Sequence, residues 1–324
     1  MKYIVMAFSI PVLIITYNRP TNLEKILDQT HSLGVRNFYI AVDGSKNPLD
    51  TEILSENRRI IKQFSSRKSI KIKVWFRTEN LGLTKSMLSA IDWFFTHESK
   101  GIILEDDLLV TKSFFEFAQH GLDIYKSNSE VFMVTGNQFS LAVGPPNGVS
   151  VANYPLIWGW ATWSYQWIEF RKILDEFKIP KNNAKTKRHI YYFWKLGYFR
   201  SMHLQNQSWA ILLATYMRFS NLITVMPNSN LVSNVGFGGV STNTLLPDNS
   251  LQIAATEMKM LKFELTNVNN LTEFLESNIY RISLKHYLLG VKIMFFMCFR
   301  ESSHKNLIEL LNSFKIKSRN EQNL

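Results

Sequence analysis

Three acidic residues in succession, Glu105-Asp106-Asp107, follow the apolar run Gly101-Ile-Ile-Leu and precede Leu108-Leu-Val and Ser113-Phe-Phe-Glu-Phe. Neighbouring carboxylates at the end of a buried strand repel one another, and a cation that neutralises them relieves the repulsion. Hard divalent ions such as Mn²⁺ or Mg²⁺ take carboxylate oxygens and share their coordination sphere with phosphates. The competing role, capping the next helix, falls more naturally to Thr111 or Ser113, which stand closer to it, so the cation reading is preferred. Asp43 in Ala-Val-Asp-Gly-Ser could accept a hydrogen bond from a base or ribose, or merely close a turn with Gly44. Arg19, in Tyr-Asn-Arg-Pro, could meet a base or a pyrophosphate, or simply be a surface arginine.

These residues are spaced by alternating strand and helix signals. Apolar runs at 11–16, 38–42, 101–104 and 131–135 and the segment 70–76 predict strands, and the continuous run 11–16 is that expected of a parallel strand covered on both faces. Between them, apolar residues at helical spacing (Leu23, Ile26, Leu27 and Leu33; 53–61; 83–95; 114–125) predict helices. The alternation implies βαβ units around a mostly parallel sheet, with ligands beyond the carboxyl ends of the strands. The residues at those ends are Asn18 and Arg19, Asp43, Arg77 through Asn80, and the acidic triplet.

From Phe139 the rhythm fails. A Gly/Pro loop leads into the aromatic segment Trp158-Gly-Trp-Ala-Thr-Trp163, then a basic stretch, a helix at 208–219 and the segment Asn230-Leu-Val-Ser-Asn-Val-Gly-Phe. After Asp248 a mostly helical tail is expected. The division drawn is 1–138 for a nucleotide-sugar-binding half, 139–248 for an acceptor-side half and 249–324 for a helical extension.

The 324 residues, 46% hydrophobic and 19% charged, exclude wholesale disorder and suffice for a large core. The single cysteine, Cys298, excludes an internal disulfide framework and favours a reducing compartment. The apolar start is interrupted by Pro11 and reads as a buried strand rather than a leader. The apolar stretch 287–299 contains Lys292 and is too short to span a bilayer. The net charge of +11 is concentrated: residues 171–200 hold nine Lys/Arg against Asp175 and Glu176. That basic, aromatic stretch suits an anionic membrane surface or lipid-diphosphate acceptor as well as a merely solvated face. No recognised nucleic-acid-binding motif accompanies it.

The strings PVLIITYNRP, AVDGS, Asn80-Leu-Gly-Leu and IILEDDLLVTKSFFEF, in this order, resemble GT-A glycosyltransferases. The similarity is to the N-acetylglucosaminyltransferase I-like group and related bacterial polysaccharide sugar transferases, over about residues 10–245. The acidic string with SFFEF is specific, and WGWATW and NLVSNVGF resemble the bacterial members. The resemblance implies a Rossmann-like nucleotide-binding α/β domain and a metal-dependent sugar transfer from a nucleotide-diphosphate donor to a glycan or lipid-linked acceptor. It implies that Asp107 ligates Mn²⁺ (or Mg²⁺), that Glu105 and Asp106 support metal and ribose, and that Arg19, Asp43 and Asn80 hold the nucleotide. Trp158, Gly159, Trp160, Trp209 and Asn234 would line the acceptor side. The setting it implies is cytoplasmic, or peripheral on the inner membrane face.

The pattern departs at the catalytic base. Relatives carry an aspartate beside the tryptophan that matches Trp209, whereas this chain reads Asn206-Gln-Ser-Trp-Ala, and no Asp or Glu occurs between Phe177 and Pro247. Nor does a histidine follow the NVGF-like segment, where Ser241-Thr-Asn-Thr stands. The candidate base for an inverting reaction is Glu169 or another carboxylate reaching in from the first half, and Asp106 is named with Glu169 as a catalytic candidate. A retaining reaction assisted by the leaving phosphate, a binding protein without turnover and a sugar nucleotidyltransferase are the alternatives.

Overall fold

The computed structural model describes residues 7–67, 69–139, 145–176, 187–203, 208–236, 254–258, 269–280, 282 and 288. The stretches 177–186, 204–207, 237–253 and 289–324 lie outside the described residues. With them go part of the basic segment, Asn206, the Ser241-Thr-Asn-Thr string, Cys298 and most of the apolar stretch 287–299.

Strands β1 (Val12–Thr16), β2 (Asn37–Val42), β3 (Lys71–Phe76), β4 (Lys100–Glu105) and β6 (Val131–Thr135) fall where the apolar runs predict them. Helices α1 (Pro20–Ser32), α2 (Pro48–Ser65), α3 (Leu83–Phe95) and α4 (Lys112–Ile124) connect them. β1, β2 and β4 are buried almost throughout, whereas Lys71 and Lys73 alternate outward on β3, as befits a strand at the sheet's edge. Helix starts follow local chemistry. The Asn47 side chain accepts from Asp50 N–H, and Thr111 Oγ1 accepts from Phe114 N–H. α1 begins with Pro20 at its first position.

Less visible in sequence are β5 (Leu108–Val110), β7 (Val149–Ala152), β8 (Trp160–Trp163), β9 (Ile223–Pro227) and β10 (Val232–Asn234). The eight-stranded sheet runs β3-β2-β1-β4-β8-β6-β9-β7, and β5 pairs separately with β10. β1–β2, β1–β4 and β2–β3 are parallel. β8 enters antiparallel between β4 and β6, with Ile103 opposite Trp160 and Trp160 opposite Thr135, so β6 runs parallel to β4. This is a Rossmann-like α/β arrangement with a mostly parallel central sheet, and helices follow at the C-terminal side.

The chain divides into two compact units. The first holds residues 1–150, 156–168 and 225–266, and the second 151–155, 169–224 and 267–324. The second unit contains helices α6 (Arg188–His203), α7 (Trp209–Phe219) and α8 (Asn269–Phe274), followed by a π-helical turn at Leu275–Ile279. On α6 the rings of Phe193, Trp194 and Tyr198 are buried. Trp194 packs against Tyr154, and Tyr191 against Phe219. Phe193, Trp194 and Tyr198 of the basic, aromatic stretch therefore serve the interior of this unit. Among the described residues no helix is long and apolar enough to cross a membrane.

Candidate functional site

Because β1, β2, β3, β4 and β6 all point the same way, their carboxyl ends share one edge of the first unit. The residues there are Tyr17 through Arg19, Asp43, Arg77, the acidic triplet and Gly136. Gly159, with φ +66°, precedes the antiparallel β8 and so reaches the same edge. Gly136 N–H donates to Gly159 O at 2.8 Å.

The acids are gripped from three directions. Thr16 Oγ1 donates to Asp106 Oδ2 at 2.5 Å, from the last position of β1. Arg19 Nη1 donates to Asp107 Oδ2 at 2.9 Å and lies 3.5 Å from Asp106 Oδ1. From the far side, β10 pairs with β5, placing Asn234 opposite Leu108, and Val235 N–H donates to Asp107 O at 2.8 Å. Gly236 N–H donates to Asn234 Oδ1 at 2.7 Å, closing a tight turn against the acids. A Cβ at 236 would lie 2.3 Å from Asp107 Oδ2, so a side chain there would require that carboxylate to shift.

The electrostatics are one-sided. Desolvation, then the charges of Asp107 and Asp106, push Glu105 up to about 8. Desolvation likewise raises Asp106 to about 6, against the lowering influence of its Thr16 bond. Asp107 Oδ1 is buried and has no hydrogen-bond partner among the described residues. A buried carboxylate oxygen left bare is costly, and a cation is the natural partner for it. Among the described residues, no three His, Cys, Asp or Glu side chains converge on one point. A cation here would therefore be held by Asp107 and Asp106 with the remaining positions open to phosphate or water, which suits Mg²⁺ or Mn²⁺ shared with a substrate.

Asp43 and Asn80 are turned inward to hold loops. Asp43 is buried, accepts from Leu81 N–H at 3.2 Å and lies 3.7 Å from Arg77 Nη1. Burial raises its carboxyl above the ordinary range. Asn80 donates to Gly44 O at 3.0 Å and accepts from Gly82 N–H at 3.1 Å. The Nδ2 bond thus bridges the loops after β2 and β3, while the Oδ1 bond closes a turn within the loop after β3. Gly44 lies so close to the Glu79 backbone that a Cβ would overlap it, which explains Asp-Gly here.

Asp50 was not singled out in the sequence. It accepts from Tyr17 Oη at 2.5 Å and Asn18 Nδ2 at 3.0 Å, fixing the loop that presents Arg19. The Asn47-Pro-Leu-Asp50 helix-start pattern was its one legible sign.

The aromatic residues expected on the acceptor side differ in their burial. Trp160 is 1% exposed within β8, and Trp209 is 3% exposed at the start of α7 in the second unit. Both rings pack the interior, because β8 is covered on each face and α7 starts with its bulkiest side chain inward. Trp158 is half-buried, edge-on to Phe139. Gly159 allows Val232 to close in, since a Cβ would press on it. Glu169 lies on α5 (Ser164–Asp175), in the second unit, exposed and paired with Lys172 at 2.5 Å. No acid of the triplet lies in that unit.

No family model matches the chain, and no curated protein matches it. Solved structures do show a likeness. One is a UDP-glucose pyrophosphorylase from Acinetobacter baumannii, 9% identical, covering 67% of this chain and 85% of that one, at a TM-score of 0.36. A UDP-glucose pyrophosphorylase complexed with UDP-glucose is also 9% identical, covering 67% and 90%, at 0.34. A 4-diphosphocytidyl-2C-methyl-D-erythritol synthase from Anaerococcus prevotii is 8% identical, covering 57% and 82%, at 0.32. Similarity this distant carries no functional argument.

Proposed function

We propose that this chain is a metal-dependent transferase of nucleotide-sugar chemistry, and specifically a glycosyltransferase moving a sugar from a nucleoside-diphosphate donor to a glycan or lipid-linked glycan. The observation that carries this reading is the bare, buried Asp107 Oδ1 beside Asp106 at the carboxyl edge of the sheet. A divalent cation held there would supply electrostatic stabilisation to a departing diphosphate. The chain's own residues do the rest. Thr16 and the 234–236 turn hold the acids in place, and Arg19 stands within reach of anionic oxygens. A bacterial surface polysaccharide is the setting suggested by the sequence resemblance.

The second reading is sugar nucleotidyl transfer, the chemistry named by the solved structures above. That reaction must cradle a triphosphate, typically in a glycine-rich basic loop after the first strand. Here only residues 17–19 separate β1 from α1, and the Tyr17 and Asn18 side chains are tied to Asp50. The short loop favours the glycosyltransferase reading.

The test is a melting screen of nucleoside diphosphates with and without Mn²⁺, followed by product analysis. One nucleotide should raise the melting temperature only when metal is present, by an amount equivalent to about 2.7 kcal/mol at a hundredfold excess over Kd. The matching nucleotide-sugar should then be slowly hydrolysed to the nucleoside diphosphate. Pyrophosphate release from a nucleoside triphosphate and a sugar 1-phosphate would instead establish the second reading. No metal-dependent shift with any nucleotide would end both.

A further inference from the structure

Only Tyr17, Asn18 and Arg19 separate β1 from α1, and the first unit holds this connection from two sides. On one side stands α2, which presents Asp50 in its first turn and Asn57 two turns later on the same face. Both side chains are buried. Asp50 Oδ2 accepts from Tyr17 Oη at 2.5 Å and from Lys46 N–H at 3.2 Å, and its Oδ1 accepts from Asn18 Nδ2 at 3.0 Å. Asn57 Nδ2 donates to Tyr17 O at 2.5 Å. On the other side lie the acids, bonded by Thr16 Oγ1 and Arg19 Nη1.

Helix capping explains only part of this arrangement. Asn47 Oδ1 accepts from Asp50 N–H, and Asp50 Oδ2 reaches back to Lys46 N–H, much as in a capping box. The bonds from Tyr17 and Asn18 go beyond that need, because both donors belong to the loop after β1. One carboxylate oxygen, Oδ2, thereby joins the loop after β1 to the loop after β2. Hydrogen bonds to an ionised acceptor are roughly twice as strong as neutral ones, and burial strengthens them further. The chain at 17–18 is thus fixed against α2, and Arg19 is the next residue along.

We infer that Asp50 is a positioning residue: acting through Tyr17 and Asn18, it sets where the Arg19 guanidinium lies and so how firmly the site holds a diphosphate. The inference rests on the proposed function, in which Arg19 meets anionic oxygens. A guanidinium presents its N–H groups in one rigid plane, so its hold on phosphate depends on angle as well as charge. An arginine on a slack loop keeps its charge and loses its aim. Asp50, buried and bonded into the fold, acts through the loop and not by contact.

The experiment measures pyrophosphate binding to the full chain at saturating Mn²⁺ by isothermal titration calorimetry. Asp50→Asn keeps the shape but leaves one acceptor oxygen in place of two, and should weaken binding about tenfold. Arg19→Gln should weaken it at least as much. The combined variant decides: it should bind within about twofold of Arg19→Gln, because Asp50 then has no guanidinium left to aim. A merely structural role would make the two losses multiply, and that result overturns the inference. Full affinity in Asp50→Asn overturns it too. Should Arg19→Gln bind too weakly to measure, Arg19→Lys replaces it, and there Asp50→Asn should cost less than about threefold because a point charge has no plane. Should Asp50→Asn not fold, Tyr17→Phe removes one of its bonds and enters the same cycle, with a several-fold loss expected. A natural protein that binds no pyrophosphate with Mn²⁺ would overturn the proposed function itself.

Discussion

Each unit of the molecule buries carboxylates, but the two do so on opposite terms. In the second unit, Glu276 Oε1 accepts from Tyr154 Oη at 2.7 Å and from Arg218 Nε at 3.0 Å. Tyr154 Oη in turn accepts from Trp194 Nε1 at 3.0 Å. One acid faces one base, and the ring hydroxyl joins them. In the first unit three acids face Arg19, two of them titrate well above the ordinary range, and one oxygen is left bare. A balanced buried pair fastens a segment, whereas a surplus of like charge stores unfavourable energy that a ligand can relieve. The first is a latch for the π-helical turn, and the second is the place where the proposed cation would bind.

The contrast is broken most severely at Asp107. Asp107→Asn should abolish metal-dependent nucleotide binding and lower turnover by about 10³-fold or more, an effect comparable to removing a principal electrostatic contact. The metal-free protein should change in stability by no more than about 1 kcal/mol, since lost pairing with Arg19 is offset by relieved repulsion. Denaturant titration alongside the melting screen measures both quantities.

The opposite profile is expected at Glu276. Glu276→Ala removes the acid paired with the half-buried Arg218 and should destabilise the second unit by about 2 kcal/mol. Nucleotide affinity of the folded protein should stay within about twofold. A loss of nucleotide binding at full stability would erase the distinction between the two clusters.

A smaller effect sharpens the comparison through pH. Glu105 and Asp106 hold their protons more tightly in the folded than in the unfolded chain, with folded values of about 8 and about 6. Over that interval the native state binds more protons, so metal-free stability falls as pH rises from the ordinary carboxylate range to about 8. Glu105→Gln should flatten the decline and raise the melting temperature at pH 8 by a few degrees while leaving pH 4 nearly unchanged. Saturating Mn²⁺ should flatten it as well, because the cation favours the ionised acids. A melting temperature that instead rises steadily from pH 4 to 8 would contradict the one-sided charge balance.

The parallel half of the sheet was readable because its strands are covered on both faces, which forces unbroken apolar runs such as 11–16 and 101–104. The same burial hid β8. Trp160-Ala-Thr-Trp163 is apolar enough for a strand, a core packing segment or an aromatic platform, and only its pairing with both β4 and β6 decides among them. Likewise, the acids stood out as a local triplet, but the orientation of each did not. Asp43 and Asn80 carry the right chemistry for a ligand, yet their hydrogen bonds run to Leu81, Gly44 and Gly82, the neighbouring loops.

What the amino-acid order determines by itself is therefore periodic and local: alternating strands and helices, the polar residues that end the strands, and a clump of negative charge. Tertiary structure alone decides which distant groups answer that charge. Arg19 reaches Asp107 across 88 positions of chain, and Gly236 lies near the same carboxylate from the turn after β10. Pairing at that range depends on sheet order and register, which arise from packing of the whole unit rather than from any short run of residues.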